Sequence, residues 1–476
     1  MRRLAVAMGV VVALLGYATL DVYDRVPGVL TLAPAPDPAL ATPTPSTSLP
    51  PVAQPSPLTA PAGMPLAASG AQAPLPTPAG LASALAGVLA DARLGTAVSV
   101  AVRDAATGAH LLDVGADAPR TPASNLKLLA AAAINATFAP GTRLTTQVVQ
   151  GPAPDQVVLV AGGDTLLNPG PGDPAAVSGR AGLGDLVTAT VASLRARGVT
   201  RVTVSPDLSH APGPLVAPTW SGSYRPTGIT GAVASIGLST QRATPVHPGP
   251  ADPAAAVMAS FARALGAQGV AAVIGPPTVA AAGAPVLGSV ISAPVADQLA
   301  LALADSDNSL TESLARQAAF AKGVAPGFAE TAAFVRSTVE GLGVDVTGVA
   351  MVDVCGLSRE DAVPARVLAD VLALGAADSV PGMRETVRQL PVAGLSGTLA
   401  DRFAGPGSHG AAGVARAKTG TLTGVSAVAG TLVTLDGRLL TFVVLAVGFA
   451  PGVGTLAARD ALDRFVATLA GCGCRS

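Results

Sequence analysis

From Pro34 to about Pro78 the chain is built almost wholly of Pro, Ala, Thr and Ser, with hardly a charge. Such a stretch cannot bury enough apolar surface to offset its ordering entropy, and its prolines stiffen it into an extended spacer. Any packed body is therefore confined to the chain from about Leu81 to the end of the 476 residues. Upstream, Met1-Arg2-Arg3 leads into an apolar run from Leu4 to Leu20, which reads as an export segment. Its length is near the lower limit for spanning a bilayer, and no clear small-x-small cleavage site falls near Tyr17 to Asp21. A cleaved signal peptide and a retained N-terminal membrane anchor through residues 4–20 both fit. The expected order is a signal or anchor over 1–32, a linker over 33–78, and a head held outside the cytoplasm, facing an external polymer.

Composition narrows the body. Half the residues are hydrophobic but only 3% are aromatic, so the core is expected to consist of Ala, Val and Leu. A net charge of −1, with no basic arm and no base-stacking aromatics, argues against nucleic acid as a partner. Of 29 basic residues only three are lysine, Lys127, Lys322 and Lys418. Where arginine has replaced lysine so widely, a surviving lysine points to what arginine cannot do, which is to lose its proton. Cys355, Cys472 and Cys474 make no metal pattern, and His110, His210, His247 and His409 are scattered, so no metal and no cofactor are expected. An exported chain would permit one disulfide, with Cys355 to a tail cysteine as the candidate pair.

The pattern of the body is mixed. Leu81 to Leu94 has helical spacing, Thr96 to Arg103 alternates as a strand, and Pro122 opens an Ala/Leu-rich helix to about Thr137. Short β-like runs at 145–149, 156–161 and 201–205 then alternate with Gly/Pro loops, a change of texture that marks an inserted region from about Leu144 to Pro285. Helical spacing returns at 294–304, 310–321 and 328–342. Val425–Thr434 and Leu439–Val447 flank Asp436-Gly437, a strong hairpin signal, and an amphipathic stretch at 456–469 closes the body.

Three short motifs carry chemistry. Ser124-Asn125-Leu126-Lys127 puts a hydroxyl and an amine on one helix face, where the amine could activate a serine that is otherwise a poor nucleophile. Ser306-Asp307-Asn308 precedes a helix, so capping alone would account for it. Lys418-Thr419-Gly420-Thr421 enters the β-rich last third, where an edge lysine protecting against aggregation is the bland account. Each is cheap alone. Their joint occurrence in this order, with two of the three lysines inside them, is the set used by penicillin-binding proteins and β-lactamases.

At these residues the chain resembles the D-alanyl-D-alanine carboxypeptidase/endopeptidase family, the low-molecular-mass class C penicillin-binding proteins. The resemblance extends to Gly162-Gly-Asp-Thr-Leu166, Gly356-Leu-Ser-Arg359 and Leu390-Pro-Val-Ala-Gly-Leu-Ser-Gly-Thr-Leu399, and covers most of the chain from Leu81. The long interval between the first and second motifs is the family's mark. Departures are Asp353-Val-Cys-Gly-Leu357, with Cys355 in place of a serine, and Ala304-Asp305, where asparagine often precedes the second motif. The resemblance implies an α/β fold, an antiparallel sheet flanked by helices as in β-lactamases. It would be formed by residues 79–144 and 286–476, with β-rich subdomain material inserted over 145–285.

By the same resemblance, Ser124 would attack a D-alanyl-D-alanine carbonyl in a peptidoglycan stem peptide and form an acyl-enzyme. Lys127 would be the base, kept neutral by burial and by Lys418. Ser306 would relay a proton to the leaving D-alanine, and Asn308 would hold the substrate peptide by its amide. Lys418 and Thr419 would bind the terminal carboxylate, Gly420 would allow close approach, and the N–H groups of Ser124 and Thr421 would form the oxyanion hole. β-Lactam antibiotics would be covalent inhibitors. A serine β-lactamase, a catalytically silent peptidoglycan-binding or sensor protein of the same fold, and a general serine esterase are the alternatives.

Overall fold

The computed structural model describes residues 72–377, 379–449 and 452–474. The export segment or anchor over 1–32 and most of the linker lie outside them. The described end of the linker is already docked: Arg438 donates to the Ala73 carbonyl, and Thr77 N–H to that of Cys474. The packed body thus begins a few residues before the expected boundary at 78.

The first half of the catalytic lobe comprises α1 (Pro78–Leu89), β1 (Ala97–Asp104), β2 (His110–Val114) and α2 (Lys127–Thr137). The last stretch supplies α5 (Val295–Asp305), α6 (Asn308–Ala321), α7 (Phe328–Gly341), α8 (Ala365–Ala376), α9 (Met383–Arg388), β8 (Arg416–Leu422), β9 (Val425–Val433), β10 (Leu439–Val447) and α10 (Gly454–Ala470). Five strands form one antiparallel sheet in the order β2-β1-β10-β9-β8.

Strand periodicity explains how this sheet is covered. Ala101, Ala427, Ala429, Val443 and Leu445 face one core with α2, α6, α7 and α8. Their neighbours Val100, Val102, Val428, Phe442 and Val444 face the other, with α1 and α10. Burial on both faces is why β9 and β10 are near-continuous apolar runs rather than alternating ones. Small residues let the layers approach in a molecule with so few aromatics. α2 is buried over Lys127–Asn135, as expected for a helix that is apolar almost all round.

Between the two halves lies a second sheet, β6-β5-β4-β3-β7, made from β3 (Arg143–Gln150), β4 (Gln156–Val160), β5 (Arg201–Asp207), β6 (Ala271–Ile274) and β7 (Val286–Pro294). The inserted region is β-rich as expected, with α3 (Leu183–Arg195) and α4 (Pro253–Ala267) packed on its sheet, and β4, β5 and β6 run parallel as helical crossovers require. Its boundary is later than the expected 285, because β7 pairs along β3 and the chain leaves this sheet only at Pro294.

The cysteines differ from expectation as well. Cys472 pairs with Cys474, and Cys355 is a free, buried thiol.

Candidate active site

Ser124 does not sit in the first turn of a long α-helix opened by Pro122. Residues Ala123–Leu126 form a 3₁₀ turn that becomes α2 at Lys127. In a 3₁₀ turn residues three apart eclipse each other, which stacks Ser124 directly over Lys127. Ala123, with φ 47°, takes the left-handed conformation that an alanine rarely adopts. Two glycines hold it there. A Cβ on Gly356 would lie 1.9 Å from the Ala123 carbonyl oxygen, and one on Gly420 would lie 2.7 Å from that of Pro122. The serine-bearing turn is thus wedged between the third motif and the 353–356 loop.

Lys127 is fully buried. Its Nζ lies 2.9 Å from Ser124 Oγ, 2.6 Å from Asn308 Oδ1 and 2.7 Å from the Cys355 carbonyl oxygen. The last two groups only accept hydrogen bonds. A neutral amine can give them its two protons and keep its lone pair for the Ser124 hydroxyl, so the geometry suits a base. Burial pushes this lysine below its ordinary range, against the pull of Cys355, Asp353, Glu312 and Asp307. Lys418, also fully buried, is pushed further down by burial, with Lys127 and Arg402 adding to the effect. Of the two expected causes burial leads at Lys127, and the repulsion between the lysines shows at Lys418.

The second motif joins the first through Asn308, whose Nδ2 donates to the Ile229 carbonyl at 2.7 Å. Oδ1 accepts from Lys127, so the carboxamide orients that amine, and it keeps a second N–H and a second lone pair besides. Ser306 ends α5 in the left-handed conformation (φ 57°, ψ 36°), half-buried, and its hydroxyl has no hydrogen-bond partner among the described residues.

The third motif lies on β8, an edge strand of the catalytic sheet. Ala417 N–H donates to Pro391 O, off the outer edge of β8. At the two-residue period of a strand, the N–H groups of Thr419 and Thr421 point off that same edge. Lys418 Nζ donates to Thr419 O at 2.8 Å, Thr419 Oγ1 to Thr398 Oγ1 at 2.9 Å, and Arg459 to Thr421 Oγ1 at 3.2 Å. Direct contact joins Ser124, Lys127 and Asn308, and β8 packs through Gly420 on the turn that carries Ser124.

Sequence reasoning missed the support beneath. Glu312 is buried, and its Oε1 accepts the N–H groups of Val354 and Cys355 at 2.8 Å each. It thereby fixes the two peptides that precede the Cys355 carbonyl on which Lys127 rests. Asp353 accepts from the N–H groups of Gly356 and Ser358 and from Trp220 Nε1. Ligand atoms of Glu312, Asp353 and Cys355 lie within 4.8 Å of one another. The N–H donors already occupy carboxylate oxygens that a cation would need, and burial holds the thiol protonated. Burial, with Asp353 adding, pushes Glu312 up to about 7.

A profile of the D-Ala-D-Ala carboxypeptidase 3 (S13) family matches residues 81–249 and 221–469. The chain belongs to this family. It is 35% identical over 392 residues to carboxypeptidase DacB of Mycolicibacterium smegmatis, covering 81% of this chain and 83% of that protein. A carboxypeptidase of Mycobacterium tuberculosis is 34% identical over 78% of this chain and 80% of its own length. Penicillin binding protein 4 of Haemophilus influenzae shares the fold with a TM-score of 0.65 at 18% identity, over 82% of this chain and 98% of that one. As a member of the S13 family this chain is a serine-type D-Ala-D-Ala carboxypeptidase with a β-lactamase/DD-peptidase-like α/β fold.

Proposed function

We propose that Ser124 is the nucleophile and Lys127 its base in removal of D-alanine from peptidoglycan stem peptides. The observation that carries this is the 2.9 Å approach of a buried lysine Nζ to the serine hydroxyl, with the amine's two other partners both carbonyl oxygens. In the first step the Ser124 proton passes to Lys127 as the Oγ–C bond forms. The oxyanion lies between the N–H groups of Ser124 and Thr421, the second of which points off the β8 edge; such donors are worth roughly 3 kcal/mol each. The C–N bond then breaks, and Ser306 relays the proton from Lys127 to the departing D-alanine nitrogen, which restores the neutral amine. Water hydrolyses the ester by the same route in reverse. Lys418 and Thr419 hold the terminal carboxylate, while Gly420 leaves room for the Pro122–Ala123 turn rather than, as expected from the sequence, for the substrate backbone.

A β-lactam opens on the same serine, but its amine stays tethered, so the acyl-enzyme persists. The Haemophilus influenzae relative is described in complex with a β-lactam, which supports that reading. A cross-linked stem peptide presents the same bond with a longer leaving group, so DD-endopeptidase action belongs to the proposal. So does an extracytoplasmic location, reached through residues 4–20 as signal or anchor. Among the described residues no helix is long and apolar enough to cross a membrane.

Incubation with a D-Ala-D-Ala peptide and with a cross-linked dimer, followed by mass spectrometry, tests the assignment. Release of D-alanine with slow nitrocefin turnover is expected. Rapid nitrocefin turnover without D-alanine release would mean a β-lactamase, and no product from any of them a silent binding protein.

A further inference from the structure

Ser306 is held by more than its own helix. Arg242, from the inserted region just after the 3₁₀ turn Ser239–Gln241, reaches the two residues that flank it. One guanidinium nitrogen donates to Asp305 Oδ2 and to Asp307 Oδ2 at 2.9 Å each, and Nε donates to Asp307 Oδ2 at 3.0 Å. The other Asp307 oxygen caps α6, accepting from Leu310 N–H at 2.9 Å and Ser309 Oγ at 3.0 Å. Between the two aspartates Ser306 keeps a φ of 57°, a conformation that a serine abandons unless its surroundings hold it.

We propose that Arg242 is a positioning residue for the reaction: by gripping both aspartates beside Ser306 it keeps that hydroxyl aimed at the leaving group. This rests on the reading of Ser306 as the proton relay. A planar, always-charged fork suits such a bridge, because it can serve two carboxylates at once in fixed geometry. The inserted region thereby becomes part of the catalytic machinery, tied to the second motif by Arg242 and again by the Ile229 carbonyl on Asn308.

The test is a double-mutant cycle on the full chain, read as kcat and KM for D-alanine release and as the rate of acylation by a fluorescent penicillin. Arg242→Ala is expected to lower kcat about 10- to 100-fold with KM within about twofold, as small displacements of a reacting group do. Arg242→Lys, which keeps the charge but not the fork, should fall between. In a Ser306→Ala background, Arg242→Ala should cost no more than about twofold further, because it acts only through Ser306. Should Arg242→Ala fold poorly, Asp305→Asn removes one arm at a largely exposed side chain and should lower kcat several-fold. A wild-type rate in Arg242→Ala, or the same loss in both backgrounds, overturns the proposal while leaving the relay intact. A wild-type rate in Ser306→Ala overturns the relay itself, and the role of Arg242 with it.

Discussion

At the scale of single residues the proposed chemistry depends on one amine, that of Lys127, which must be able to shed a proton. Lys127→Arg would retain the charge and much of the length, yet guanidinium does not deprotonate. Acylation by a fluorescent penicillin is expected to fall by at least about 100-fold, the usual contribution of a positioned base. Ser124→Ala should abolish labelling altogether; a labelled band on a denaturing gel would refute the nucleophile. Glu312 gives a pH signature. Its pKa rises from 4.5 to about 7 on folding, so between those values the folded chain binds more protons than the unfolded one. Glu312 therefore destabilises the fold progressively as pH climbs through this window. Glu312→Gln can still accept the two backbone N–H bonds but has no proton to lose. Relative to the parent it should gain about 3 kcal/mol of unfolding free energy between pH 4.5 and 7.5, measured by urea denaturation. The first and third motifs are legible because scarcity of lysine exposes them, and the second only by its order between them. Glu312 is not, since nothing near it in sequence says that the loop it steadies, 353–356, lies under Lys127.

Elements show a similar division. The β9–β10 hairpin is plain from Asp436-Gly437 between two apolar runs, and its register pairs Val433 with Leu439. The parallel strands of the insertion are not, since short runs between Gly/Pro loops do not reveal which strands become neighbours. The turn carrying Ser124 reads as plain helix because Ser-x-x-Lys fits either a 3₁₀ or an α turn. What selects the tighter form is packing against Gly356 and Gly420 from distant parts of the chain. Gly356→Ala adds a methyl group 1.9 Å from a backbone oxygen at a φ of 83°. It should cost about 2–4 kcal/mol of stability by thermal unfolding, from strain and overpacking together. Gly420→Ala, whose added Cβ would lie 2.7 Å from Pro122 O, should shift the turn rather than unfold the chain. Its penicillin acylation rate should drop about 10- to 100-fold, with only a modest fall in melting temperature.

For the molecule as a whole, the proline-rich N-terminal tract and the apolar run before it set an expectation about place. Cell fractionation should find the full chain in the membrane or outside the cytoplasm. A variant lacking residues 4–20 should remain inside, and an unchanged distribution would remove the case for export. The order of strands carries a further consequence. β1, among the first parts of the body to be made, lies in the catalytic sheet between β2 and β10, and β10 is among the last. Neither the floor under the nucleophile nor the strand bearing Lys418 has a partner sheet to join until translation is nearly finished. The nascent polypeptide therefore carries its serine and both lysines through synthesis as an unassembled kit, with no competent hydrolase before its final hairpin closes.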